Sequence, residues 1–217
     1  MLILLRRNWI RSSHMPETTV RNPDADNAID TGQRVHIPGE AGLWVFILGD
    51  MTLFGFFFAQ FVFARGSQPR LFNTSRGELH IAFGAFNTCL LLAGSLFVVW
   101  GVEAIRRGRP DTARRWFTVG AATGVWFLVD KSIEWGLEIS RGITPITNDF
   151  FTYFFVFTGI HAVHVTIGLC VLTYLCRLTR KPGLGTREMH TFESGAAYWH
   201  LVDLLWIVLF ALLYLMV

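Results

Sequence analysis

Apolar residues in this chain come in long continuous blocks, not at the three-and-four spacing of a surface helix. Five blocks stand out, at residues 43–64, 79–105, 116–137, 150–176 and 196–217. A helical run of about 20 apolar residues matches the hydrocarbon core of a bilayer. The pattern therefore predicts an all-α membrane protein, a bundle of five transmembrane helices within residues 39–217. No connecting loop is long enough for a second domain. Residues 1–38 are polar, with Asp, Asn, Thr and Pro enriched over 16–33, the composition of a disordered tail.

Basic residues orient the bundle. Arg106, Arg107, Arg109, Arg114 and Arg115 lie between the second and third blocks, and Arg177, Arg180, Lys181 and Arg187 between the fourth and fifth. The opposite side holds Arg65, Arg70, Arg76 and Arg141. The positive-inside rule places the N-terminal tail in the cytoplasm and the C-terminus outside. The first residues leave two readings open. Met1-Leu2-Ile3-Leu4-Leu5 precedes Arg6-Arg7, the reverse order of a signal peptide, and is too short for one. Either translation starts at Met15, or the run is a short interfacial anchor.

Composition agrees with the block pattern. The chain is 52% hydrophobic and 16% charged, against about 25% charged for an ordinary soluble domain. Its net charge of +3 needs no anionic partner beyond lipid headgroups, so no nucleic acid is expected. Cys89, Cys170 and Cys176 lie within blocks, without paired spacing, and read as free buried thiols.

What changes the picture is the polar residues inside the blocks. Asp50 lies about two turns into the first, where a charge facing lipid costs about 2.5–3.5 kcal/mol. It is expected to be protonated or hydrogen-bonded to a neighbouring helix, with Gly49 and Gly55 allowing close approach. Asn87-Thr88 and Gly94-Ser95 in the second block read as helix–helix glue. In the third, Asp130, Lys131, Glu134 and Glu138 cluster, and Lys131 can pair with Glu134 at i,i+3. In the fourth, His161, His164 and Gly168 share one face. In the fifth, Glu193 and His200 lie about 20° apart on a helical wheel, with Asp203 one step round the same face. His200 and Asp203, at i,i+3, can fix an imidazole tautomer.

These groups admit three readings: an interhelical polar network, a metal site on His161, His164, His200 and nearby carboxylates, or a small proton carrier built on Asp50 and Glu134. The carrier is disfavoured by the lack of an inverted repeat or a glycine-broken helix pair. No phosphate loop, GxSxG, HExxH or CxxCH is present.

Several motifs together resemble cytochrome c oxidase subunit III. Phe155-Val156-Phe157-Thr158-Gly159-Ile160-His161-Ala162-Val163-His164-Val165-Thr166-Ile167-Gly168 resembles that family's TGxHxxHVxxG segment. Residues 192–206 resemble its FExxxxYWHFVDxxW closing helix, and Phe86-Asn87-Thr88 its LNTxxLLxSS segment. Glu134 stands where the family has a glutamate, and Asp50 stands at a family carboxylate position that is a glutamate in the oxidase subunit. Many members have seven spans. The five-span form with Gly49-Asp50 is similar to the nitric oxide reductase accessory branch, although some short bacterial oxidase subunits III also have five spans.

The resemblance implies a non-catalytic accessory subunit of the bacterial cytoplasmic membrane. It would pack beside catalytic subunit I of a haem–copper oxidase or nitric oxide reductase and hold phospholipid. It would also support proton uptake, stability or assembly. Haem and copper or iron would belong to the partner, with no cofactor or metal in this chain. Asp50 would be the proton- or lipid-linked carboxylate. Asn87, Lys131, Glu134, His161, His164, Glu193, His200 and Asp203 would form the interhelical polar network.

Overall fold

The structure, a computed structural model, describes residues 41–216. The expectations for residues 1–38 lie outside the described residues. All regular structure among those described is helical: α1 (Ala41–Ser67), α2 (Pro69–Glu78), α3 (Ile81–Arg106), α4 (Pro110–Ser140), α5 (Asp149–Leu178) and α6 (Thr186–Phe210). A π-helical turn, Ala211–Leu215, continues α6. Four helices are long and apolar enough to cross a membrane: α1, α3, α5 and α6 with its π-helical turn. At 31 residues α4 also has the length, but Asp130, Lys131, Glu134 and Glu138 make it less apolar. It carries those charges inward, where Lys131, Glu134 and Glu138 are buried.

Packing follows from which faces carry large apolar or very small side chains. The α3–α4 pair makes the most extensive contact; α4 meets α5, α5 meets α6, and α6 returns to α3. Four helices thus close a ring around a core that includes Phe127, Phe154, Trp199 and Trp206. On its outside, α1 meets α6 through a small cluster of Phe54, Leu201 and Leu205, and α5 through ring contacts of Phe57 and Phe61 with Phe157. Most of α1 remains exposed, including Val45, Leu48, Phe56 and Phe63. For a membrane helix such a surface fits hydrocarbon and needs no water-facing polarity.

The turns are built by residue type. Gly108 and Gly142 adopt φ of 68° and 80° just past the ends of α3 and α4, a backbone region that costs glycine nothing. Each allows the next residue to bond back: Arg109 N–H to Ala104 and Ile143 N–H to Glu138, the hydrogen-bond pattern of a Schellman C-cap. Asn148 caps α5 by accepting from the Phe151 N–H at 3.0 Å and donates to Ser75 at 2.9 Å. Asn148→Ala should cost about 1 kcal/mol, read as a lowered unfolding midpoint in detergent. No change would show that the cap is idle.

Three details depart from the sequence pattern. The stretch after the first block forms helix α2, where a loop was expected. Its Phe72 is buried and packs on Phe61 and Phe150 at ring-centroid distances of 5.4 and 5.7 Å. A Cβ on Gly49 or Gly55 would meet nothing within 4 Å, so these glycines do not mediate helix approach; α1 is too loosely packed to need it. The cysteines are free, but Cys89 and Cys170 are exposed and Cys176 half-buried. A small thiol is weakly polar and sits acceptably against hydrocarbon.

Candidate functional sites

The polar side chains inside the bundle sort into separate groups rather than one network. The first lies between α4 and the π-helical turn. Lys131 Nζ donates to Glu134 Oε2 at 2.5 Å and to the Tyr214 hydroxyl at 3.0 Å. Tyr214 donates onward to Glu134 Oε1 at 2.7 Å. The ammonium also sits 4.7 Å from the centroid of the Trp206 ring, within cation–π range. The lysine and glutamate side chains are each 1% exposed. Beside this triangle Asn87 donates to Asp130 at 2.7 Å. At the end of α4, Arg141 reaches Glu138 at 3.4 Å and His80 at 2.7 Å.

Tyr214 is a member that spacing alone does not reveal. Tyr214 stands in the π-helical turn, where the Met216 N–H bonds the Ala211 carbonyl five residues back. Its carbonyl accepts from Arg76 of α2 at 3.2 Å, which ties the turn to the rest of the fold.

A second group joins α1 to α5. His164 Nε2 lies 3.1 Å from Asp50 Oδ1, and its Nδ1 lies 2.9 Å from the Ile160 carbonyl. A carbonyl can only accept, so Nδ1 carries a hydrogen. Nε2 then either accepts from a protonated Asp50 or, as imidazolium, donates to the carboxylate. The other oxygen, Asp50 Oδ2, is buried without a hydrogen bond.

A third group runs along the α3–α6 interface. Arg106 pairs with Glu193 at 2.9 Å. His200 Nδ1 hydrogen-bonds the Ser95 hydroxyl. The expected His200–Asp203 contact is not formed, since the ring turns across the interface to Ser95. Asp203 is 5% exposed, and neither carboxylate oxygen has a hydrogen-bond partner.

His161 belongs to none of these groups. It is fully buried, packs edge-on against Phe127 at 5.3 Å, and neither ring nitrogen is hydrogen-bonded. Its neighbour in sequence spacing, His164, points to α1 instead. Among the described residues, no three His, Cys, Asp or Glu side chains converge as a metal site would require. Sequence reasoning treated Ser95 as helix glue and did not single out Arg106 as a partner of Glu193. Their positions four and seven residues either side of Val99 and Val102 are the only signal that they share the α6-facing stripe.

Comparison with known proteins supplies the family. The family model described as cytochrome c oxidase subunit III matches residues 25–217. A cytochrome c oxidase subunit 3 of Thermostichus vulcanus is 33% identical over 81% of this chain and 86% of its own length. One from a Synechocystis species is 32% identical over 81% of this chain and 74% of its own. A protein named "Probable quinol oxidase subunit 3" from Staphylococcus epidermidis is 24% identical over 87% of this chain and 94% of its own. With most of its length matched by the family model and by a relative this similar, the chain belongs to the cytochrome c oxidase subunit III family.

Proposed function

We propose that this chain is a non-catalytic subunit of a bacterial haem–copper oxidase, packed beside catalytic subunit I in the cytoplasmic membrane. In this reading all five long helices span, with the N-terminus cytoplasmic and the C-terminus external. Haem and copper reside in the partner. This chain contributes packing surface, bound phospholipid and one proton-linked carboxylate. Relatives named as subunits of cytochrome c and quinol oxidases favour the oxidase over the nitric oxide reductase branch that Gly49-Asp50 resembles.

The observation that carries the proposal is how the intramembrane polar groups are satisfied. Lys131 pairs with Glu134, Asp50 with His164, and His200 with Ser95. Asp50, His164 and His200 each meet one side-chain partner, and Glu134 meets Lys131 and Tyr214; none of them is aimed with two other His, Cys, Asp or Glu side chains at a common point. That arrangement suits a scaffold and does not suit a metalloenzyme. Aromatic and aliphatic side chains exposed along α1 support a role in contacting lipid tails.

The test is purification of a tagged chain in mild detergent, with an absorption spectrum, metal analysis and mass spectrometry of what accompanies it. A haem spectrum that tracks a co-purifying catalytic subunit is expected. A lone chain carrying stoichiometric metal would overturn the reading in favour of an enzyme.

The Asp50–His164 pair gives a sharper expectation. Asp50→Asn keeps the shape and a hydrogen bond to His164 but removes the exchangeable acid. Assembly with the catalytic subunit should be unchanged, while turnover should decay faster than in the wild type during sustained catalysis. Initial rate and decay both matching the wild type would remove Asp50 from proton handling.

A further inference from the structure

Helix α1 is the least buried of the apolar spans. It rests on the four-helix ring through Phe54 and Phe61, which are each 1% exposed. On a helical wheel the face opposite those two rings carries Val45, Gly49, Thr52, Phe56, Ala59 and Phe63. All six are exposed, and they follow one another at alternating steps of four and three residues. That spacing is the seam of two helices packed side by side at a small crossing angle. Met51 and Val62 lie off the seam and remain for lipid tails.

Gln60 borders this seam, next to Ala59, and is exposed. It lies seven residues before Ser67, the last of the 27 residues of α1. That is about 10 Å from the end of a helix about 40 Å long, a depth inside a hydrocarbon core of about 30 Å. Helical side chains lean towards the N-terminus, which aims the amide towards the bilayer middle and away from the nearer water. Other polar side chains on the outer faces are satisfied within their own helix. The hydroxyls of Thr52, Thr166 and Thr173 donate to the carbonyl four residues back at 2.7, 2.8 and 2.7 Å. Asn87, the other amide within a long helix, is buried and bonds Asp130. Gln60 makes no hydrogen bond among the described residues. A bare amide in hydrocarbon is strongly disfavoured, so this face calls for a neighbour that can hydrogen-bond.

We propose that the neighbour is a second copy of this chain, docked α1 to α1 about a two-fold axis along the membrane normal. Copies inserted with the same orientation hold Gln60 at the same depth, and the axis brings the two amides together. Each amide has a partially positive NH2 and a partially negative carbonyl. One therefore complements the charge of the other, and the pair needs no further group. Hydrogen bonds of this kind hold spanning helices to each other. Ala59, between Phe56 and Phe63, lets the two backbones approach, and Gly49, which meets no side chain of its own chain, does the same further along. The proposal rests on α1 crossing the membrane and not on which enzyme the chain joins.

The test is photocrosslinking of the full-length chain in native membranes, with benzoylphenylalanine in place of Phe63, which is 76% exposed. A product at twice the mass of the chain is expected, with peptides that join two copies of α1. The same probe in place of Phe56 reads the seam two turns away, should position 63 not accept it. In place of Ile133, exposed on α4, it should give no such product. Gln60→Leu keeps the helix and its apolar face but removes the amide. It should raise the expression level needed for half-maximal crosslinking by about fivefold. The proposal is overturned if the probe on the seam reaches only lipid or a different subunit. It is equally overturned if position 133 gives the same dimer, or if Gln60→Leu leaves the yield unchanged. Purification without a haem partner would leave a dimer result standing, and a monomer would leave the oxidase reading standing, so the two fail separately.

Discussion

Lys131→Met should destabilise the folded chain by about 3–5 kcal/mol, the cost of leaving a buried charge without its partner. Glu134 would keep only the Tyr214 hydroxyl, and the neighbouring Asp130 would lose the nearest cation. No water can take the place of the ammonium, because both side chains of the pair are 1% exposed. The cation–π contact with Trp206 would be lost as well. Glu134→Gln should be comparably severe: with its amide oxygen on Tyr214 its NH2 faces the Lys131 ammonium, donor against donor, and that buried charge loses its counterion. The decisive variant is the double, Lys131→Met with Glu134→Gln. It removes both charges while keeping the volume and the tyrosine hydrogen bond, and it should recover most of the loss. Unfolding in mixed detergent micelles measures all three. Additive losses in the double variant would mean that the two residues act independently and that the pair is not what holds α4 to the π-helical turn.

How much of this was legible beforehand depends on the kind of signal. The long apolar blocks located five long helices, because hydrocarbon demands continuous apolarity whatever packs nearby; the ends of the first, second and fourth fall within three residues, but α4 and α6 begin six and ten residues before their blocks, at Pro110 and Thr186, in polar first turns that apolarity does not report. Motif resemblance over residues 155–168 and 192–206 gave the family. The pairing of Lys131 with Glu134 was readable because both lie on one helix at i,i+3. Partners on different helices were not. Nothing in the spacing of His161 and His164 says that one reaches Asp50 and the other meets only rings. That choice is made by the loose docking of α1 on α5 and by Phe127 and Trp206 filling the space around His161. Likewise, His200 has a carboxylate on its own helix face, and the structure gives it Ser95 across the interface. Tyr214 of the fifth block also has its partners, Lys131 and Glu134, on another helix.

The glycines illustrate the same limit and lead to the second large effect. Gly49 and Gly55, flanking Asp50, look like contact points and face open space. The glycines that matter come from three helices and surround one side chain. A Cβ on Gly124 of α4 would stand 2.6 Å from Trp199 Cη2, one on Gly168 of α5 2.9 Å from Trp199 Cε3, and one on Gly94 of α3 3.5 Å from Trp199 Cζ2. The indole of α6 therefore occupies a notch cut by three missing side chains, at the centre of the four-helix ring. Its N–H is buried with no hydrogen bond, so the residue is held by shape and dispersion, not by polarity. Trp199→Ala should cost about 3–5 kcal/mol, since three backbones held by their own helices cannot collapse into the space. Gly124→Ala should cost about 1–3 kcal/mol from the opposite cause, overpacking against a ring that has nowhere to move. Pairing Gly124→Ala with Trp199→Phe puts the added methyl into the volume the smaller ring releases, so the double variant should lose less than the sum of the singles. Strict additivity in detergent unfolding would show that the contact does not couple the two positions, and that the notch is incidental to how α6 docks.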